Sequence, residues 1–340
     1  MLPRTSLFAV LLVSSILAEA QVGGRKSFEF LNLAGNAKVA ALGGVNISSG
    51  NSDVNMFLSN PALIDSTMDQ HVSLSYLSFL GGINYSNLTY GYYSEKYGNW
   101  AFGLQYLDYG SIESYDESGV GLGSFDSNEF SFNIGHSRNA GSFTIGGNLK
   151  FALSNIAGNK ASVVLVDLGG AFIHPEKDFV ISLLFKNLGL IIRDYTELSD
   201  SELPADIQLG ASFKPEHMPF RFSITAQNVL RGELAFFNPS SNTDDSNEQP
   251  GTVDEIFRHF VFATEFIPSK NFNIRLGYNH LIRRELRLEQ LSGGAGFTMG
   301  LMFRIKAFEF AYTKAFYHVA GSSNHLTLTS NLKKLLKRTN

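Results

Sequence analysis

The sequence predicts an all-β fold: a 14-stranded antiparallel transmembrane outer-membrane β-barrel with an N-terminal hatch or plug. Three observations predict it. Short segments from residue 71 onward alternate apolar and polar side chains. The gaps between them are themselves alternately short and long. The segment 21–70, ahead of the first strand, does not alternate at all. A strand tilted across a bilayer needs roughly 9–11 residues, and every second one must face lipid. In 141–151, Phe143, Ile145, Leu149 and Phe151 share one parity, and Ser142, Thr144, Asn148 and Lys150 the other. In 219–229, Phe220, Phe222, Ile224 and Ala226 alternate with Arg221, Ser223, Thr225 and Gln227. Phe272, Ile274, Leu276 and Tyr278 stand against Asn273, Arg275 and Asn279 in the same way. Strand side chains have a period of two, so both faces cannot lie in one ordinary core.

The pattern places strands near 71–79, 83–95, 98–109, 127–138, 141–154, 162–173, 178–187, 205–214, 219–230, 256–267, 271–281, 291–304, 306–317 and 322–332. The even-numbered connections are tight, such as Lys96-Tyr97, Asn139-Ala140, Pro268-Ser269-Lys270 and Ile305. Most odd-numbered ones are longer, notably 110–126, 188–204 and 231–255, and rich in Asp, Glu, Ser and Asn. Outer-membrane barrels have short periplasmic turns and longer external loops, so the tight connections are expected at the periplasmic end.

Residues 1–20 read as a signal peptide. Arg4 precedes an apolar run from Leu7 to Leu17, and Ala18-Glu19-Ala20 matches a cleavage site that would leave Gln21 as the mature end. The hatch, 21–70, is rich in small residues and contains the Gly43-Gly44 pair and Asn60-Pro61-Ala62. Irregular backbone cannot face lipid, because nothing there would satisfy its amides. The segment is therefore expected inside the lumen, with a free periplasmic arm as the alternative. The barrel is expected over 71–332. A basic periplasmic tail follows over 333–340, carrying Lys333, Lys334, Lys337 and Arg338.

Composition points the same way. The chain of 340 residues has 29 Phe and 13 Tyr but a single Trp, which suits a lipid-facing belt. A net charge of −4 without a basic stripe excludes a nucleic-acid partner. With no cysteine, thiol nucleophiles, disulfides and thiolate metal sites are excluded. The histidines are scattered, without the spacing of a helical metal site. No catalytic residue, cofactor or metal is expected, and the chain does not read as an enzyme. Lumen-facing Lys150, Arg221 and Arg275, with Glu265 and Glu309, either brace the wall by pairing across strands or form a selectivity filter. Gly169-Gly170 and Gly293-Gly294 are candidate strand kinks. The acidic residues Asp194, Glu197, Asp200 and Glu202 in one loop, and Asp244, Asp245, Glu248, Asp254 and Glu255 in the longest, are candidate partner-docking positions.

The hatch also carries a resemblance. The run Asn36-Ala37-Lys38-Val39-Ala40-Ala41-Leu42-Gly43-Gly44-Val45, then Asp53-Val54-Asn55 and Leu58-Ser59-Asn60-Pro61-Ala62-Leu63, resembles the opening segment of the PorV/PorQ family. Those are outer-membrane proteins of the Bacteroidetes type IX secretion system, within the broader superfamily of FadL-like long-chain fatty-acid transporters. The resemblance covers roughly 21–332 and is nearer to PorQ in length and loop pattern. It implies a 14-stranded barrel with a hatch ending near Asn-Pro-Ala, and only Gly43, Gly44, Asn60, Pro61 and Ala62 carry over as hatch residues. It further implies a tethering role toward a PorZ-like surface protein, with PorU- and PorV-like partners, in an attachment complex that processes cargo and anchors it to lipopolysaccharide. A FadL-like transporter of hydrophobic small molecules is the alternative. The sequence departs from many bacterial barrels in ending Arg338-Thr339-Asn340 rather than in an aromatic residue.

Overall fold

A computed structural model describes residues 26–50, 52–232, 234, 251–286, 293–318 and 321–336. The leader and its cleavage site lie outside the described residues. The fold is a closed barrel in which fourteen strands each pair antiparallel with their sequence neighbours, and the last closes on the first. The strands are β1 (His71–Ser78), β2 (Asn84–Ser94), β3 (Gly98–Tyr115), β4 (Gly121–Ala140), β5 (Phe143–Ile156), β6 (Asn159–Ile173) and β7 (Asp178–Arg193). There follow β8 (Asp206–Lys214), β9 (Phe220–Ala226), β10 (Phe260–Ser269), β11 (Phe272–Asn279), β12 (Phe297–Ile305), β13 (Phe308–His318) and β14 (Gly321–Asn331). Among the described residues, four short α-helices accompany them besides single 3-10 turns: α1 (Ala37–Ala41), α2 (Thr252–Arg258), α3 (His280–Leu286) and α4 (Leu332–Leu336).

The closing seam shows why the register is unique. On its lipid face Leu74 opposes Leu328 and Tyr76 opposes Leu326. On its lumen face Ser73 meets Thr329 and Ser75 meets Thr327, with hydroxyl oxygens 2.8 and 2.9 Å apart. A slip of one residue would turn hydroxyls to lipid and leucines to the polar lumen.

Two strand pairs run further than the alternation suggests. In β7 an extra residue at Asn187 is accommodated in a left-handed conformation (φ 55°), so Val166 opposes Leu188 while Leu168 opposes Phe185. Beyond this bulge the outward parity changes from Ile181, Leu183 and Phe185 to Leu188, Leu190 and Ile192. The break in alternation explains the expectation that the strand ends at 187. In β3 the same happens near Gly110 (φ 71°), where the register shifts between Asp108 and Ser111. Strands therefore occupy most of 110–126 and 188–193, and the true connections there are 116–120 and 194–205. At the long-loop end, 256–258 are helical rather than extended, because Val253, Ile256 and Phe257 recur at helical spacing. The expected tail begins as α4, fixed by Leu332 N–H to the Gln70 carbonyl (2.9 Å) and by an ion pair of Lys333 with Asp69 (3.7 Å).

The core is the lumen. Residues 26–70 enter it at the long-loop end, where Ser27 N–H donates to the Glu202 carbonyl (2.9 Å), and leave at the short-turn end, where Gln70 N–H donates to the Gly91 carbonyl (2.9 Å). Most of the described side chains from Asn36 to Ile64 are buried.

Candidate functional site

The hatch is a string of capped turns. Asn36 opens α1 by accepting from Val39 N–H (2.8 Å). Gly43 and Gly44 (φ 86° and 88°) end it in the left-handed region, and a Cβ on Gly43 would stand 2.4 Å from Val261. Asn60 accepts from Ala62 N–H (3.0 Å) and donates to the Ile47 carbonyl (3.0 Å). Pro61 takes the first helical position of the next turn, where its missing N–H costs nothing. The Asn-Pro-Ala signal is thus a capped helix start that also ties two hatch turns together.

A belt of glycines on the lumen face receives these turns. A Cβ at Gly146 would lie 2.3 Å from the Pro61 carbonyl carbon, one at Gly169 2.0 Å from Asn60 Oδ1, and one at Gly277 2.2 Å from Gly43 N. At Gly91, Gly103 and Gly300 a Cβ would meet Met68, Phe57 and Ala41 at 2.3, 2.7 and 2.6 Å. Gly169, read from sequence as a possible kink, sits in unbroken pairing with Leu184, and its missing side chain makes room for Asn60. Gly293-Gly294 precedes β12 rather than kinking it.

Toward the short-turn end the hatch is held by buried charge. Glu265 lies directly opposite Arg221 on one side and Arg275 on the other. Its carboxylate accepts from Arg221 (3.3 Å), Arg275 (3.2 Å) and the Ser49 hydroxyl of the hatch (2.7 Å). Arg221 also reaches Asp178 (2.7 Å). Lys38, 4 % exposed, donates to the carbonyls of Ser49 and Gly50 at 2.6 and 2.9 Å. Across the lumen Lys150 pairs with Asp167 (2.6 Å). The lumen charges therefore brace the wall and the hatch, which is the first of the two roles open to them from sequence.

The long-loop end of the lumen is different in kind. Phe28, Phe30 and Leu31 of the hatch pack against Leu77, Tyr85, Leu107, Val163 and Leu165 of the wall. Phe79, Tyr109, Ile191 and Tyr195 flank them, with Phe28 stacked on Tyr195 at 6.3 Å between ring centroids. The hydroxyls of these tyrosines turn aside to polar partners, Tyr109 to Glu129 (2.7 Å) and Tyr195 to Ser154 (2.6 Å), leaving the rings to the hatch. Sequence reading passed over this site. Its signal was a Phe-x-Phe-Leu run inside a segment that does not alternate.

A second apolar feature lies on the outside of the wall. A trough of about 790 Å³ runs across the lipid faces of β8 to β12, lined by Phe213, Phe222, Ile224, Phe262, Leu276 and Phe297 among others.

The candidate docking acids fall into three groups. Glu197 and Asp200 are exposed on the β7–β8 connection. Asp194 is turned inward, accepting from the Ser201 hydroxyl and Tyr195 N–H, both at 2.7 Å, and the Glu202 backbone holds the hatch. Asp254 lies 2.8 to 3.0 Å from Arg284, His280 and Arg258, joining α2 to α3, and Glu255 faces Arg258 at 3.6 Å. Burial alone would raise the Asp254 carboxyl, but the bonds from His280 and Arg258 and the charges of Arg258 and Arg284 outweigh it and hold the carboxyl below its ordinary value. Asp244, Asp245 and Glu248 lie outside the described residues.

No family model matches the chain, and no curated protein matches it. Solved structures do. The TodX monoaromatic hydrocarbon channel (deltaS2 mutant) is similar with a TM-score of 0.53 at 14 % identity, covering 88 % of this chain and 98 % of that one. The CymD monoaromatic hydrocarbon channel gives 0.49 at 11 % identity over 88 % and 97 %. A Pseudomonas aeruginosa FadL homologue gives 0.46 at 9 % over 84 % and 98 %. The shared feature is the fold, the closed antiparallel β-barrel of outer-membrane proteins. None of these comparisons carries the PorV/PorQ resemblance, which rests on the hatch residues alone.

Proposed function

We propose that this protein is a channel for hydrophobic small molecules across the outer membrane, the hatch segment 26–34 closing its outward end. One observation supports this reading above the others. The long-loop end of the lumen holds an apolar cluster to which the wall itself contributes large side chains, Leu77, Tyr85, Leu107, Val163 and Leu165, and its occupant is the protein's own Phe28, Phe30 and Leu31. A general porin keeps a polar, water-filled lumen instead. An apolar solute that displaced these three side chains would meet contacts of the same chemistry. The trough on the lipid face of β8 to β12 is of the size that takes a small molecule. TodX, which has the same fold, is itself a monoaromatic hydrocarbon channel. The test is uptake of labelled toluene and of a labelled long-chain fatty acid into proteoliposomes. Wild-type protein is expected to admit one class, and a Phe28→Ala/Phe30→Ala/Leu31→Ala variant to admit it faster. No uptake by either protein, or a large ion conductance in the wild type, rejects the reading.

A second reading, docking of a secretion-system surface partner, draws support from the β7–β8 region. Leu190, Ile192 and Leu198 are 77 %, 62 % and 97 % exposed there. Hydrophobic side chains this open beyond a membrane belt suit a protein partner. Replacing 195–200 by a short Gly-Ser linker should leave a folded barrel that no longer retains the PorZ-like protein in a pull-down. Retention of that protein counts against the loop.

A further inference from the structure

Two cavities at the short-turn end share a wall, and the wall is basic. One, of about 510 Å³, opens inside the barrel mouth and is lined by polar groups including Lys38, Asn273, Arg275 and Glu309. The other, of about 520 Å³, lies on the outer face and is lined by Ile305, Phe308, Phe310 and Leu335. Lys306, Ala307 and Lys334 border both.

The chemistry of the seam is amphipathic. Ile305, Phe308 and Phe310 point to the lipid side, 56 %, 38 % and 37 % exposed. Leu335 comes from α4, whose position is set by Asn331 N–H bonded to the Ala307 carbonyl (3.1 Å) and by Lys334 N–H bonded to Asn331 Oδ1 (3.0 Å). Three neighbouring cations are spent within the protein, Arg304 on Glu309 (3.1 Å), Arg275 on Glu265 and Lys333 on Asp69, and Lys270 borders only the inner cavity. Lys306 and Lys334 have no ion-pair partner among the described residues. Lys306 is moreover held at φ 56° in the β12–β13 turn, a conformation that a β-substituted residue adopts at a cost.

We propose that this seam binds an anionic glycerophospholipid of the inner leaflet. Its phosphate lies between the ammonium groups of Lys306 and Lys334, and an acyl chain lies along Phe308, Phe310 and Leu335. The occupant follows from the two halves together. A soluble anion would leave the apolar half open, and a neutral lipid would leave the two ammonium groups unanswered. Short turns mark the periplasmic end, which places the seam at the depth of inner-leaflet headgroups. The inference rests on the outer-membrane architecture and is independent of what the channel carries.

The experiment is native mass spectrometry of the full chain in neutral detergent, titrated separately with dioleoylphosphatidylglycerol, dioleoylphosphatidylcholine and glycerol phosphate. Phosphatidylglycerol is expected to stay bound, the other two to be lost. The Lys306→Asn/Lys334→Gln variant keeps a residue tolerant of the left-handed turn and is expected to bind phosphatidylglycerol roughly thirtyfold more weakly, at about fivefold per lysine. Leu335→Ser changes only the apolar half and keeps both charges, so it reports even if the double variant fails to fold. It is expected to weaken the lipid several-fold and leave glycerol phosphate unbound. Equal binding of phosphatidylcholine, tight binding of glycerol phosphate, or undiminished phosphatidylglycerol affinity in either variant overturns the proposal.

Discussion

The hatch is held in two ways at its two ends, and the contrast separates what fixes this fold from what can move within it. Toward the short-turn end, turns from Asn36 to Ile64 meet backbone-level contact with wall glycines, and Ser49 completes the coordination of the buried Glu265. Removing such a segment would strand buried charge and open a void. Toward the long-loop end, residues 28–31 contribute side chains to an apolar cluster, and the polar ties stand on either side of them, Ser27 to the Glu202 carbonyl and the Ser201 hydroxyl and Asn32 to Asn187. Apolar contacts are non-directional, so another apolar group can replace them without leaving an unpaired donor. The inner part of the hatch is bound into the wall, and on the proposed reading the outer part is the one that gives way.

The contrast can be broken most severely at Glu265. Glu265→Ala leaves Arg221 and Arg275 buried without their shared carboxylate and should cost about 3–5 kcal/mol, read as a lowered denaturant midpoint in micelles. Restoring neutrality with Arg275→Met in the same chain should recover part of that loss, whereas an additive effect would mean that the cluster is not coupled. Gly146→Val comes next. Its side chain would overlap the Pro61 carbonyl, and overpacking of this kind costs about 1–3 kcal/mol. Hydrogen exchange should then rise over 54–64 but not over 26–34, and a rise confined to 26–34 would reverse the division drawn here. Asn60→Ala removes a cap and leaves the Ile47 carbonyl unpaired, for about 1–2 kcal/mol in the same assay.

The smallest effect is expected at the helical latch of the long loops. The Asp254 carboxyl titrates below its ordinary value of 3.8 in the folded protein, so its contribution is complete above that pH and fades as the pH falls through the depressed folded value. Exchange protection of α2 should therefore be unchanged between pH 7 and 5 and fall below about pH 4, when the ion pairs with Arg258 and Arg284 lose their acid. Loss of protection already at pH 6 would show that the Asp254 carboxyl is not the group that holds the latch.

The wall was legible in the sequence because lipid imposes a rule on every second side chain. Phe143, Ile145, Leu149 and Phe151 could face outward in only one register, and all fourteen strands follow from that constraint. The rule failed where a bulge changed the parity, at Asn187 and near Gly110, so that strands read as loops, and at the long-loop ends of strands, where 256–258 and 280–281 are helical and 293–296 precede β12. The lumen obeys no such rule. Gly146, Gly169 and Gly277 look alike in a sequence, and what distinguishes them is the hatch backbone that the closed barrel brings within reach.

The sequence by itself thus determined the membrane architecture, the strand count and the hatch as a separate element, because those depend on the local period of the side chains. Only the tertiary structure decided where the hatch runs, that Glu265 and not a filter gathers the lumen arginines, that Phe28, Phe30 and Leu31 close an apolar end, and that Lys306 and Lys334 stand together. Those are contacts between residues far apart in the chain, and closure of the sheet into a ring is what makes them neighbours.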